Sequence, residues 1–235
     1  MELLTGTPER VLAVYAHPDD PDVACAGTLA RWSDEGAEVH VLICTDGGKG
    51  TMDPDTSTEE LVQRRAAEAR AACDITGITG LHTLGRRDGE LVDDGELVGA
   101  IVGYVRRIRP EVVLCPDPTA FIFGEDYLNH RDHRVVGTCV LDSLAPASAL
   151  PLYFPDQGPP HQASVAYLTG TLEPGVWVDI SDTVETKVAA VACHASQFPE
   201  GPGWARQVVL ERASAEGARV GVAYAEAFRR LRLNG

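Results

Sequence analysis

The chain has 235 residues, 44% of them hydrophobic, and a formal net charge of −15 from 35 acidic against 20 basic residues. A core of that size suits one sizeable domain, and the acidity argues against nucleic acid and anionic membrane surfaces as partners. No apolar run reaches spanning length, the start MELLTGTPERV lacks a leader pattern, and six scattered cysteines show no CxxC; a soluble, cytoplasmic protein in a reducing compartment is expected.

In chain order, RVLAVYA (10–16) reads as a buried strand and ACAGTLARWSDEG (24–36) as a helix closed by Gly36. AEVHVLICT (37–45) is a second strand, followed by a Gly- and Asp-rich loop, DGGKGTMDPDTS (46–57), which suits a flexible rim or lid. The spacing of Ser57 and Glu60 predicts a capping box opening a helix that runs to Gly77. LHTLG (81–85) is a short strand, ELVGAIVGYVRRIRP (96–110) a helix stopped by Pro110, EVVLCP (111–116) a fourth strand and HRDHRVVGTCVLDSL (130–144) a helix. This alternation predicts an α/β, Rossmann-like fold, a mainly parallel sheet with helices on both faces. Residues 145–163 read as a long loop, 164–170 and 175–180 as strands, 181–196 as a helix, 197–203 as a loop, and the chain from about Trp204 as a last helix. GVAYAEAFRRL (221–231) fits helix or strand. We expect one domain over 1–235, with 1–144 as the Rossmann-like core and 145–235 as its completion.

Two polar clusters stand where apolar strands end: HPDD (His17–Asp20) after the first strand and NHRDH (Asn129–His133) after the fourth. In an open parallel sheet such loops share the ligand-binding edge, and they meet if their strands are neighbours at the switch point. Together they offer three imidazoles and three carboxylates, the donor types of a catalytic zinc site. His17 and Asp20, three apart on a tight turn, and His133, on the first turn of its helix, form the expected ligand set. Asp19 is then a nearby carboxylate free to act as general base, and His130 faces the substrate carbonyl as oxyanion or leaving-group partner. Asp132 is expected to hold the His130 ring in one tautomer. His40 and His82 read as core or surface residues, HASQ (194–197) as a helix end, His161 as a candidate for the mouth of the site, and Glu125 and Tyr127 as candidates to reach the substrate.

These motifs resemble the PIG-L/LmbE-like N-acetylglucosaminyl deacetylases, zinc-dependent amide hydrolases on a Rossmann-like fold. AHPDD (Ala16–Asp20) and HRDH (His130–His133, with Arg131 in place of the family's Pro) carry the resemblance, and RRAAE, LGRRDGEL and KVAAVACHASQ extend it along the chain. One departure is Pro21, where the family has Glu, with Asp22 one place later. The resemblance implies His17, Asp20 and His133 as zinc ligands (Fe²⁺, Co²⁺ or Mn²⁺ also suit the set), Asp19 as base, His130 as electrostatic or acid partner, and Arg65 and Asp88 as contacts to a sugar. It implies removal of an acetyl or acyl group from the amide nitrogen of a small amino-sugar conjugate by a metal-activated water. The rival readings are cleavage of a larger amide, such as a thiol conjugate or an acylated antibiotic, a non-catalytic sugar or nucleotide binder, and an interaction protein with a vestigial metal site. A homo-oligomer is compatible with the sequence.

Overall fold

The run VLAVYA leaves no polar face, so it must be covered on both sides, and that requirement sets the architecture. In a computed structural model describing residues 1–198 and 200–233, β2 (Arg10–Tyr15) and β5 (Val112–Pro116) form the buried centre of an eight-stranded sheet. The other strands are β1 (Glu2–Leu4), β3 (Glu38–Thr45), β4 (Gly80–Arg86), β8 (Val165–Thr169), β9 (Val176–Asp179) and β10 (Ala225–Arg232), in the order β1-β9-β10-β8-β5-β2-β3-β4. All neighbouring pairs are parallel except those of β10, which runs antiparallel to both β8 and β9. Pro199, inside the loop expected over 197–203, and residues 234–235 lie outside the described residues.

Strand residues divide by parity. Val11, Ala13, Tyr15, Val39 and Val41 face one layer, which includes α1 (Asp20–Asp34), α5 (Val184–Cys193) and α6 (Pro202–Val220). Leu12, Val14, Leu42 and Cys44 face the other, built on α3 (Gly95–Ile108) and α4 (Arg131–Asp142). The helix α2 (Thr58–Thr76) packs against α1 and α5; its start is capped by Ser57 Oγ, which accepts from the Glu60 amide at 3.2 Å. The expected α/β sheet with helices on both faces is therefore present.

Several local expectations change. The first helix begins at Asp20, four residues early, and breaks at Cys25, whose φ of −149° is not helical. The ambiguous segment 221–231 becomes a turn and then β10, because a position between β8 and β9 pairs its backbone on both sides. The strand β1 and a small hairpin of β6 (Ile122–Phe123) and β7 (Tyr127–Leu128) were not expected. The long loop after α4 does contain short helical turns at Ser143–Ala147 and Pro155–Gln157. Buried Arg106 on α3 organises it, donating to the carbonyls of Ala147, Ser148, Leu150, Tyr153, Phe154 and Gly158 at 2.8–3.2 Å.

Candidate metal centre

The strands β2 and β5 are parallel neighbours, and the chain leaves them in opposite directions across the sheet, through β3 and β4 on one side and β8 on the other. Their carboxyl ends therefore flank the switch point, where backbone dipoles and loops converge on a ligand. The loop after β2 is fixed by Thr45, whose amide and hydroxyl both donate to the Ala16 carbonyl. The loop after β5 delivers Asn129 and the first turn of α4.

Three side chains meet there, two imidazoles and a carboxylate with both its oxygens in contact. His17 Nδ1 lies 3.2 Å from His133 Nε2 and 3.4 Å from an Asp20 carboxylate oxygen, and the other Asp20 oxygen is 3.0 Å from His133 Nε2. Ligands of a tetrahedral zinc, each about 2.0–2.2 Å from the ion, stand about 3.3–3.5 Å apart, so this triangle is close to the required size. The remaining nitrogens decide the protonation states. His17 Nε2 faces Asp88 Oδ1 at 3.1 Å and Asp132 Oδ2 at 3.6 Å, without an aligned hydrogen bond to either. His133 Nδ1 lies 3.0 Å from Asn129 Oδ1, and the Asn129 amide is oriented by its donation to the Ala120 carbonyl at 2.7 Å. With each outer nitrogen carrying its proton toward an oxygen, the inner contact is bridged by positive charge, a proton on His17 Nδ1 when no metal is bound or a metal ion in its place. Three electron-rich atoms at such distances call for a cation between them, and the residues fit a divalent metal ion.

The electrostatics agree. Burial opposes charge on His17, yet Asp20, Asp132 and Asp88 outweigh it and raise its pKa to about 12. Burial likewise works against the Asp20 carboxylate, but His133 and His17 hold it well below the usual carboxylate range. Asp88 is held down to about 2, its burial outweighed by His17, the Lys49 amide and Arg65. Two other groupings also place three donors together, His17 with His130 and His133, and His17 with Asp88 and Asp132. The first uses His130, whose Nδ1 already accepts from the Asp132 amide, and the second uses His17 Nε2 in place of Nδ1.

His130 is the N-cap of α4 and packs its ring 4.7 Å from that of His17. Its Nδ1 accepts from the Asp132 amide at 3.2 Å, so the neutral ring carries its proton on Nε2. Burial, followed by His17 and His133, lowers its pKa, which favours that neutral form. Asp132 thus fixes the tautomer through its backbone. Its carboxylate is fully buried, accepts from the Gly89 amide at 2.7 Å and is turned toward His17.

Asp19 sits beside the triangle, its Oδ1 bound by Arg65 Nη2 at 2.5 Å. Arg65 is 3% exposed and also donates to the Gly47 carbonyl at 2.9 Å. Gly47, at φ +66°, lets the chain pass so near that an added Cβ would meet the guanidinium at 2.9 Å. Arg65 and Asp88 were expected to contact a sugar. Both are buried beside the centre, Arg65 against Asp19 and Asp88 against His17. The rim loop is pinned at its start by the same groups: the Lys49 amide donates to Asp88, and Gln197 Nε2 donates to the Gly50 carbonyl.

Other expectations move away from the centre. His161 bonds the Pro110 carbonyl, at the opposite end of β5 from the site. Tyr127 is half-exposed on the hairpin and stacks near Phe123. HASQ does end a helix, and it also makes contacts the sequence reading missed: buried His194 meets Asp22 Oδ2 at 2.8 Å, and Ser196 binds Glu68. The role of Asn129 was missed too, although it stands beside the second histidine motif.

Comparison with known proteins agrees with this geometry. The family model described as PIG-L, GlcNAc-PI de-N-acetylase, matches residues 12–144. A diacetylchitobiose deacetylase of Thermococcus kodakarensis is 36% identical over 196 residues, covering 82% of this chain and 71% of the relative. A 1D-myo-inositol 2-acetamido-2-deoxy-alpha-D-glucopyranoside deacetylase of Rhodococcus erythropolis is 30% identical, covering 84% and 69%. The solved structure of the N,N'-diacetylchitobiose deacetylase from Pyrococcus horikoshii, complexed with its inhibitor MPG, superposes with a TM-score of 0.88 at 32% identity, over 96% of this chain and 84% of that one.

Proposed function

The chain belongs to the PIG-L family, and on that premise we propose that it is a metal-dependent hydrolase removing the acetyl group from the amide nitrogen of an N-acetylglucosamine-type sugar. The observation that carries the reading is the meeting of His17 Nδ1, Asp20 and His133 Nε2, with the neighbouring carboxylate of Asp19 held by Arg65. The relatives named as deacetylases of acetylated amino sugars support the substrate class.

We infer zinc from the two-nitrogen, one-oxygen donor set, with His17, Asp20 and His133 holding it. When bound there, such an ion supplies Lewis acidity toward the amide carbonyl and a lowered pKa for water. Asp19 accepts the proton of the attacking water, its carboxylate steered by Arg65 Nη2. His130 donates its Nε2 proton as a hydrogen bond to the oxyanion that develops on the substrate. Asp19 then returns its proton to the nitrogen as the carbon–nitrogen bond breaks, releasing the free amine, with acetate as the second product. Asp88 and Asp132 face His17 Nε2 and hold a proton there, so Nδ1 is the nitrogen that gives up its proton to a metal. Among the described residues no helix is long and apolar enough to cross a membrane. Six cysteines without disulfides support placing the enzyme in the reducing cytoplasm.

The test is acetate release from diacetylchitobiose and from simple 2-acetamido sugars by purified protein. Activity should vanish with a chelator and return with zinc. A metal-loaded protein that releases acetate from none of them refutes the proposed reaction, and turnover of a larger amide alone would reassign the substrate.

A further inference from the structure

The turn that carries Asp19 and Asp20 opens a helix that does not continue regularly. At Cys25 the backbone of α1 leaves helical geometry, at φ −149° and ψ 19°. In an unbroken helix the Gly27 amide would donate to the Val23 carbonyl and the Thr28 amide to that of Ala24. Here both amides turn to Glu226 of β10: Gly27 donates to Oε1 at 3.1 Å and Thr28 to Oε2 at 2.8 Å. The Val23 carbonyl accepts instead from Lys187 Nζ of α5 at 2.9 Å. Lys187 and Glu226 close the circuit with their own ion pair, and Thr183 Oγ1 donates to the Gly27 carbonyl at 2.7 Å. Gly27 is required by the packing, since a Cβ would lie 2.7 Å from Ile180 Cδ1.

A Lys–Glu pair is thus inserted into a helical hydrogen-bond ladder, with both residues buried at 6% and 5% exposure. Burying two charges is costly, and apolar side chains of similar size commonly pack as stably, so stability alone is a poor account of the pair. Its geometry does something apolar groups cannot: it satisfies the broken ends of α1 at one fixed bend. A second buried contact, His194 with Asp22, acts on the same short segment. All four outside groups, Thr183, Lys187, His194 and Glu226, come from residues beyond the 12–144 match.

We propose that Lys187 and Glu226 are positioning residues, a buried ion pair spliced into α1 that sets the direction of its first turn and with it the places of Asp20 and Asp19. The proposal rests on Asp20 being a metal ligand. It assigns the C-terminal third of the chain a part in building the centre, although no ligand or base comes from there.

The experiment measures zinc affinity of the full chain by competition with a chromophoric chelator, together with the visible spectrum of the cobalt-loaded protein. Glu226→Gln should weaken zinc binding by about 10–100-fold, the range for residues that orient metal ligands. It should also shift the cobalt bands and lower kcat with KM little changed. The paired variant Lys187→Met/Glu226→Gln removes both charges together and should show the same loss, which covers the case where Glu226→Gln alone fails to fold. Val209→Ala, in the core under α6, is the control: it should lower Tm and leave zinc affinity at the wild-type value. In the wild-type protein, Gly27 and Thr28 amides should exchange with solvent as slowly without metal as with it. Wild-type zinc affinity in a folded Glu226 variant, an equal loss in Val209→Ala, or rapid exchange of those amides without metal would each overturn the proposal. A wild-type protein that binds no zinc would instead remove the ligand assignment beneath it.

Discussion

Two histidine clusters lie in this molecule, and the same side chain does opposite things in them. On β3 and β4, His40 Nδ1 is 3.1 Å from His82 Nε2, and His40 Nε2 is 3.0 Å from Glu38. Protons order that cluster without conflict: His82 donates to His40, His40 donates to Glu38, and every close contact pairs a hydrogen with a lone pair. At the ends of β2 and β5 the outer nitrogens of His17 and His133 face oxygens, so the inner contact is held by an added positive charge, a proton on His17 Nδ1 or a metal ion in its place. The short distances are alike in the two places. What separates a metal centre from a structural histidine pair is where the protons must be, and that is set by the neighbours Asn129, Asp88 and Asp132.

The largest expected effect separates chemistry from metal binding within the centre. Asp19→Asn should cost about 10²–10⁴-fold in kcat, the scale of general-base removal, with zinc content unchanged by elemental analysis. Loss of the metal would make Asp19 a ligand and redraw the triangle. Arg65→Lys keeps the charge and loses the guanidinium that bonds Asp19 and the Gly47 carbonyl at once; a drop of about tenfold or more in kcat/KM is expected, in line with a lost charged hydrogen bond. The drop should be the same for an acetamido sugar and for a minimal acetamide, whereas a drop confined to the sugar would return Arg65 to substrate contact.

Next comes the outer nitrogen of His133. Asn129→Ala should weaken zinc binding by about 10–100-fold in chelator competition, while Glu38→Ala, which removes the equivalent acceptor from the other cluster, should leave zinc binding untouched. Equal behaviour of the two variants would erase the distinction drawn here.

Protons supply a finer measure. His17 has a raised pKa, so without metal it holds its proton at neutral pH, and an ion arriving on Nδ1 must displace it. Calorimetry in buffers of different ionisation enthalpy should report about one proton released per zinc, and affinity should fall as pH is lowered. His82 is shifted the other way, by burial, then His40 and Arg107, and contributes no proton. Proton uptake on binding would contradict the assigned states. The smallest effect is expected from His82→Phe, which should change Tm modestly and leave one zinc per chain.

Much of this was legible because short motifs and strand ends are local. The runs around β2 and β5 contain little but apolar residues, which marked them as strands and made their polar endings conspicuous. The expectation that His17, Asp20 and His133 meet grew from the rule that such endings share the switch point when their strands are neighbours, as β2 and β5 are. The parts that were not legible depend on distant contacts. Nothing near Arg65 announces that its partner is Asp19, 46 positions away, and nothing near Glu226 points to the amides of Gly27 and Thr28. The carboxylate of Asp132 could be assigned only once the Gly89 turn was seen to pull it toward His17. The strand β10 was ambiguous because its alanines and arginines suit a helix equally well, and two neighbouring strands decide the matter.

The most direct measurement is an anomalous difference map from crystals of the zinc-loaded protein, collected at the zinc edge. The account predicts one peak per chain, about 2.0–2.2 Å from His17 Nδ1, an Asp20 oxygen and His133 Nε2, and no peak at His40 and His82. A peak on His17 Nε2, between Asp88 and Asp132, would contradict it, because the nitrogen taken here to carry the proton would then be the ligand.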